Sequence, residues 1–391
     1  MRILQVHNLY QHAGGEDQVC AAEYELLKGH GHDVTQYFKH NDDIRGMSSS
    51  TAAVRATWNQ HTYREVRKLI GETRPDILHA HNTFPLVSPA LYYAASAEHV
   101  PVVQTLHNFR LICPAATLFR DGRVCEDCVG SVMPVSGVLH RCYRRSALAS
   151  AAVAIMLASH HVANTWTRKV STYIALTEFA RSKFIEGGLP ADRISVKPNC
   201  LAEDPGVGDG EGGYALFAGR LIEEKGVHTL LTAWRKYPSL PPLKIVGQGN
   251  LTPWIKQEME KLTAVCFLGQ LEHEAVIDLM KRASVLIFPS RYYEGLPMAI
   301  IEALGCGTPV IASALGSMNE LIVDGENGYK FQAGSADDLA EKVTALLSAP
   351  GELARMRRSA RKAYEDNYGP ERNYDLLMDI YKRTIESAKA A

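Results

Sequence analysis

No apolar stretch in this chain runs unbroken to the roughly 20 residues that a membrane-spanning helix needs, so no span is expected. Charge of one sign is not in excess either. Lys and Arg number 42 against 43 Asp and Glu, which removes the broad basic character that a nucleic-acid partner would require. The first residues, Met1-Arg2-Ile3-Leu4-Gln5-Val6-His7, read as a short strand and not as an apolar core behind a basic start. The expectation is a cytoplasmic protein. Cysteines stay reduced there, so disulfides are not expected to staple the fold. Of the eight cysteines, Cys20, Cys200, Cys266 and Cys306 are scattered singly and read as small buried hydrophobes. Low-complexity tracts and short repeats are missing too, which excludes solenoids.

What is present is an alternation of strand, loop and helix. With 391 residues, 46% of them hydrophobic, the chain is long enough for two or three packed domains. Strands are expected at 2–7, 33–38, 76–81, 100–106 and 173–176. The pattern restarts at 214–217, 242–246, 265–268, 285–288 and 309–312. Helices fall between many of them, and such alternation predicts parallel sheets covered by helices. A glycine-rich stretch, 205–213, lacks apolar periodicity and reads as a linker or exposed loop. The chain is therefore divided into a domain at 1–204, a domain at 205–369 and a final helix at 370–391 that could return to the first domain. Both domains are expected to be α/β, doubly wound and Rossmann-like. An excursion at about 108–145 follows the fourth strand of the first.

The most informative segment is Ser290-Arg291-Tyr292-Tyr293-Glu294-Gly295-Leu296-Pro297-Met298-Ala299-Ile300-Ile301-Glu302. It follows an apolar strand. Pro297 fits the first turn of a helix, so Glu294 belongs to the strand-to-helix loop and Glu302 to the second helical turn. Free amides over Gly295, Leu296 and Met298 suit an anionic ligand. One carboxylate for a ribose, one for a sugar and amides for a diphosphate describe a nucleotide-sugar site. The loop Gly219-Arg220…Lys225-Gly226 ends the first strand of the same domain. Arg220 and Lys225 supply a forked and a point-like cation for a diphosphate. Two solvated surface cations are the plainer alternative. Gly247 in Val246-Gly247-Gln248-Gly249 ends the next strand, as a pocket wall or merely a tight turn.

In the first half, Gly14 and Gly15 precede a helix and would let backbone lie against a phosphate or sugar. A helix-entry turn, with Glu16 favouring the helix dipole, is the competing account. His107 ends the strand at 100–106 and is expected to face the cleft between the domains as a contact to a transferred sugar or its acceptor. His79 and His81 read as a cap on another strand end. Cys113, Cys125, Cys128 and Cys142 include a C-x2-C pair and could close a structural zinc site. Redox disulfides or plain thiols remain open alternatives. The apolar run at 146–159, preceded by Arg141, Arg144 and Arg145, is either an interfacial helix or a core helix.

These residues together resemble the GT-B fold retaining glycosyltransferases of the family 4, or group 1, type. Besides the motifs above, Gly305-Cys306-Gly307-Thr308-Pro309-Val310-Ile311-Ala312-Ser313 and Asp324-Gly325-Glu326-Asn327-Gly328 share in the resemblance. It implies that Arg220 and Lys225 hold the donor diphosphate, that Glu302 binds the ribose hydroxyls and that Glu294 contacts the donor sugar. The amides of Gly295 to Met298 would reach sugar and phosphate, Gly15 would lie under the diphosphate, and His107 would sit near sugar and acceptor.

The implied reaction retains anomeric configuration, with the leaving phosphate taking the acceptor proton. No Asp-x-Asp motif is present, so no cofactor and no catalytic divalent metal are expected. The donor would be a UDP- or GDP-sugar and the acceptor a glycan or lipid-linked glycan of the bacterial cell surface. Peripheral contact with the cytoplasmic face of the inner membrane would follow. Closure of the two domains on the donor is expected to exclude water. A nucleotide-sugar epimerase or hydrolase on the same fold, and a non-catalytic nucleotide-sugar binding protein, are the alternatives.

Overall fold

A computed structural model describes residues 1–11 and 14–390. It divides into two compact units. One comprises Met1–Leu118, Cys125–Ala202 and Pro370–Ala391; the other comprises Phe119–Val124 and Glu203–Gly369.

The first unit is built on a six-stranded sheet in the order Asp33–His40, Arg2–Leu9, Ile77–Ala80, Val102–Leu106, Thr172–Ala175, Ile194–Val196. Every pairing is parallel. The central strands are buried on both faces, so they read in sequence as short apolar runs and not as alternations. The chain lays its second strand on one side of the first and its third on the other. The order therefore reverses between Arg2–Leu9 and Ile77–Ala80, and the loops leaving such a reversal open a crevice in which α/β proteins bind ligands. The final helix, Pro370–Ala390, is part of this unit's core: Leu377, Ile380 and Tyr381 pack with Ile3, Val103 and Ile174.

The second unit repeats the plan in the order Val265–Gly269, Leu243–Val246, Ala215–Ala218, Val285–Phe288, Val310–Ser313, Gly328–Phe331. All its pairings are parallel. Here the reversal lies between Ala215–Ala218 and Val285–Phe288. Phe217, Leu230, Trp234, Ile245 and Ile287 belong to one core cluster.

Two sequence expectations change. Of the two readings of the glycine-rich stretch at 205–213, the loop holds and the free linker does not. Gly208, Gly210 and Gly212 donate backbone hydrogen bonds to Cys306, Lys281 and Arg282. A Cβ on Gly208 would lie 2.1 Å from the Lys281 carbonyl oxygen, so glycine permits that close approach. The excursion expected at 108–145 is divided as well. Its antiparallel hairpin, Phe119–Arg120 with Arg123–Val124, groups with the second unit, where Arg291 donates to the Gly122 carbonyl at 2.8 Å.

Candidate functional site

In the second unit, the two loops that leave the reversal point are joined. Ala215–Ala218 runs into Gly219, Arg220 and Lys225; Val285–Phe288 runs into Ser290 and Glu294. Lys225 Nζ donates to Glu294 Oε1 at 2.7 Å. Ser290 Oγ donates to the same oxygen at 2.8 Å, and the Tyr292 hydroxyl donates to Oε2 at 2.7 Å. The Arg291 amide donates to the Glu224 carbonyl at 2.8 Å, which zips the loops along their backbones. Glu294 is only 6% exposed, and an unpaired carboxylate there would be strongly disfavoured. Three donors, one of them cationic, remove that penalty. Burial, and then the neighbouring carboxylate, raise the Tyr292 pKa well above its ordinary value, so the phenol remains a donor. A carboxylate held by three donors has its orientation fixed.

Pro297 occupies the N-cap of the helix Met298–Gly305 and not its first turn as expected, and no side chain caps that helix. Amides at the start of an uncapped helix keep their donor capacity and their positive field. Leu296 is buried beside them, while Gly295 and Met298 are half-buried. Glu302 lies in the second turn and is 7% exposed. Its contact with His273 Nδ1 is long, at 3.8 Å. Burial raises its carboxyl pKa, with His273 opposing. Hydroxyl donors from a ligand would complete such a group. Arg220 is exposed, and its charge bears on Tyr292.

Gly247 has a purely internal reason to be glycine. Its φ is 133°, and a Cβ would lie 2.0 Å from the Gly219 carbonyl oxygen. The two strand-end loops thus pass backbone against backbone, so the glycine at 247 shapes the crevice whether or not it touches a ligand.

In the first unit, Gly14 is the N-cap of Gly15–Gly29 in extended conformation, with φ −126°. Among the described residues, a Cβ there would meet nothing within 4 Å, so their packing does not demand this glycine. Glu16 is not merely a helix-dipole partner. It accepts from the Tyr10 hydroxyl and from Asn108 Nδ2, each at 2.8 Å, and burial raises its carboxyl pKa.

His107 is buried, with Nε2 3.0 Å from His81 Nδ1. His81 Nε2 lies 3.3 Å from Glu23 Oε2, and Glu23 Oε1 accepts from Lys197 Nζ at 2.6 Å. Lys197 also donates to Asn373 in the final helix at 2.9 Å. His79 touches the Tyr381 hydroxyl at 2.7 Å and Thr105 at 2.8 Å. Burial, then His81, hold His107 neutral, its pKa well below the usual histidine range. His79 and His81 are thus members of a buried network and not a strand-end cap. Their i, i+2 spacing already placed both on one face of the strand. Nothing in the sequence marked Glu23 or Lys197 as their partners.

Cys113, Cys125, Cys128 and Cys142 are the four cysteines of the excursion. Burial, aided by Cys113, Cys142 and Cys125, pushes the Cys128 thiol up to about 11, and none of the four is in a disulfide. Ligand sulfurs of a tetrahedral zinc stand about 4 Å apart. Among the described residues, the one group of three or more potential ligands with atoms within 4.8 Å of one another is Glu23, His79 and His81. The four thiols are not such a group. In the Glu23 group Lys197 already occupies Oε1, and its charge opposes a cation; Oε2 has only His81 Nε2, at 3.3 Å, and His79 Nδ1, at 3.6 Å, beside it.

Comparison with known proteins agrees with this architecture. Residues 206–363 match the family model "Glycosyl transferases group 1", and residues 14–204 match "Glycosyltransferase Family 4". Glycogen synthase of Mycobacterium tuberculosis is 27% identical over 75% of this chain, which spans 66% of that protein. A phosphatidyl-myo-inositol mannosyltransferase of Mycolicibacterium smegmatis is 24% identical over 88% of this chain and 80% of its own length. The structure of Anabaena Alr3699/HepE, solved in complex with UDP, superposes with a TM-score of 0.67 at 19% identity and full coverage of both chains. The two family models meet at the boundary between the sheets and leave little but the chain ends unmatched: this chain belongs to the group 1 glycosyltransferases of GT-B fold.

Proposed function

We propose that the protein transfers a hexose from a nucleotide-diphosphate sugar to a glycan or lipid-linked glycan of the bacterial cell surface, with retention of anomeric configuration and without a catalytic metal. The observation that carries this reading is the Lys225–Glu294 pair, set beside an uncapped helix start at the sheet's reversal point. Lys225 and Arg220 would neutralise the charge that grows on the departing diphosphate, where preorganised cations contribute most. The amides of Gly295, Leu296 and Met298 would take phosphate and sugar oxygens. Glu302 would accept from the ribose hydroxyls. Glu294, already oriented by three donors, would fix the sugar and leave the acceptor proton to the phosphate. In the first unit, Gly14 and Gly15 would admit the diphosphate, and neutral His107 would contact sugar or acceptor.

The donor class draws support from the neighbour solved with UDP, and the acceptor class from the mannosyltransferase relative. A lipid-linked acceptor would bring the protein to the cytoplasmic face of the inner membrane. A structural zinc on Cys113, Cys125, Cys128 and Cys142 belongs to the same reading. It rests on the donor chemistry of four thiols that include a C-x2-C pair, and metal analysis near zero in reduced protein would remove it.

Donor turnover tests the reading. With UDP- and GDP-sugars supplied in turn, wild-type protein should release nucleotide in the presence of acceptor and in chelator, and Glu294→Ala should be at least a hundredfold slower. Equal release by both proteins would contradict the role of Glu294.

A further inference from the structure

The helix Ala147–Val162 has two apolar faces, and its own unit uses only one. Val153, Ala154, Met156, Leu157 and Ala158 are buried. Leu148, Ile155 and Val162 recur every seven residues, so they line the opposite face. They are 85%, 55% and 72% exposed. Ala151, Ala152 and Ser159 fall on the same stripe by helical period, which leaves it without a charged side chain from end to end. A surface helix ordinarily turns its polar residues to water, and an exposed apolar band marks an interaction surface. The band does not stop at one helix. Ser49–Thr57 and Val135–Leu139 both pack against Ala147–Val162, and they expose Val54, Val135 and Leu139.

Charge identifies the occupant. Between Cys128 and Thr177 there is no Asp or Glu, while Arg141, Arg144, Arg145, Arg168 and Lys169 are present. Between Ile44 and Arg64 acids are again missing, and Arg45, Arg55 and Arg64 are present. All the acids of the chain lie elsewhere, where they outnumber the bases, so these two voids concentrate positive charge around the apolar stripe, with Arg45 drawn to Asp42 at 3.0 Å. Arg141, Arg144 and Arg145 are exposed at the helix's amino-terminal end, and Arg55 is exposed on the neighbouring helix. Asp127, bound by Ser136, borders the surface. Apolar side chains rimmed by arginines match a bilayer interface with anionic headgroups. A second copy of the same face would bring like charges together and is disfavoured.

The geometry points to a membrane-docking face on the first unit, built on Leu148, Ile155 and Val162 and rimmed by Arg141, Arg144 and Arg145, whose partner is an anionic lipid bilayer. It rests on the membrane location contained in the proposed function but not on the transfer reaction, so lipid binding and nucleotide binding are read separately.

The test is co-sedimentation of the full chain with vesicles of equal parts phosphatidylglycerol and phosphatidylcholine, beside vesicles of phosphatidylcholine alone. Binding should be at least tenfold stronger to the anionic vesicles. Each arginine near an anionic surface strengthens binding about fivefold, so Arg144→Glu with Arg145→Glu should weaken it well over tenfold. The triple variant Leu148→Ser, Ile155→Ser, Val162→Ser should lose binding as completely. Because all five positions are exposed, thermal melting and UDP affinity should match wild type in both. Three results would overturn the proposal: no binding to anionic vesicles, equal binding to both vesicle types, or variants that bind like wild type. A concentration-dependent dimer that the triple serine variant dissolves would also overturn it, since a second copy would then cover the stripe. Vesicle binding without nucleotide binding would leave this face standing and remove the donor site.

Discussion

Lys225 Nζ and Glu294 Oε1 stand 2.7 Å apart and tie together the loops that leave neighbouring strands on either side of a sheet's reversal point. The pair holds a buried carboxylate in one orientation, and in the proposed reading it also keeps a cation where a diphosphate would depart. Removing the lysine leaves Glu294 buried without its ionic partner. Lys225→Ala should lower kcat by about 10²- to 10³-fold, the scale for losing one preorganised electrostatic group. Steady-state kinetics with saturating donor would show it. A variant within threefold of wild type would detach Lys225 from the leaving group.

Glu302 should show the opposite signature. Burial raises its carboxyl pKa in the folded protein. The folded state therefore holds the proton more tightly than the unfolded chain, so this group favours folding at low pH and loses that contribution as pH rises through the raised pKa. Glu302→Gln removes the buried charge. Thermal melting at pH 7.5 should give a higher Tm than wild type, and donor KM should rise with kcat little changed, the pattern of lost ground-state binding. A lower Tm with unchanged KM would contradict the assignment.

The buried chain from His107 through His81 and Glu23 to Lys197 makes a stability prediction. Burial alone would raise the Glu23 pKa, but Lys197 and then His81 hold it well below the carboxylate range. Its stabilising contribution is thus full above the unfolded carboxyl pKa and disappears as pH falls through the folded value. Glu23→Ala strands a lysine that is 1% exposed and should cost about 3–5 kcal/mol in urea unfolding. Glu23→Leu combined with Lys197→Met should recover most of that loss. A double variant as unstable as Glu23→Ala would place the effect in packing and not in the charge pair.

The glycines separate structure from ligand. Gly247→Ala pushes a Cβ into the Gly219 carbonyl at a φ that side chains avoid, and it should destabilise the fold by about 1–3 kcal/mol. Gly14→Ala meets open space in an extended backbone. It should leave Tm within about 1 °C, a near-neutral change, yet raise donor KM. Melting curves and initial rates on both variants would decide. A Gly14→Ala protein with unchanged KM would take that loop away from the donor.

Much of this was readable from residues because buried parallel strands are short apolar runs, followed at once by Gly219 and Gly247 in two cases and by Pro289 in a third. The ends of Ala215–Ala218, Leu243–Val246 and Val285–Phe288 were therefore placed within a residue or so, and with them Arg220, Lys225, Glu294 and Glu302. The strands Ile194–Val196 and Gly328–Phe331 escaped because they are short edge strands with partly polar faces. The glycines at 205–213 looked like a linker because composition cannot distinguish a free chain from one strapped by backbone hydrogen bonds. The Glu23–Lys197 pair was invisible for a different reason. A glutamate on an amphipathic helix and a lysine after a strand each look solvated until the fold brings them together.

Calorimetric titration of UDP and UDP-glucose, with GDP-mannose as the second base, tests the central claim most directly. A donor site built by Arg220, Lys225 and Glu302 should bind one of these with micromolar affinity, and Arg220→Ala with Lys225→Ala should weaken it by at least a hundredfold, as expected when two charge-assisted contacts to phosphate are lost. Failure of all three ligands to bind at millimolar concentration, or an unchanged affinity in the double variant, would contradict it.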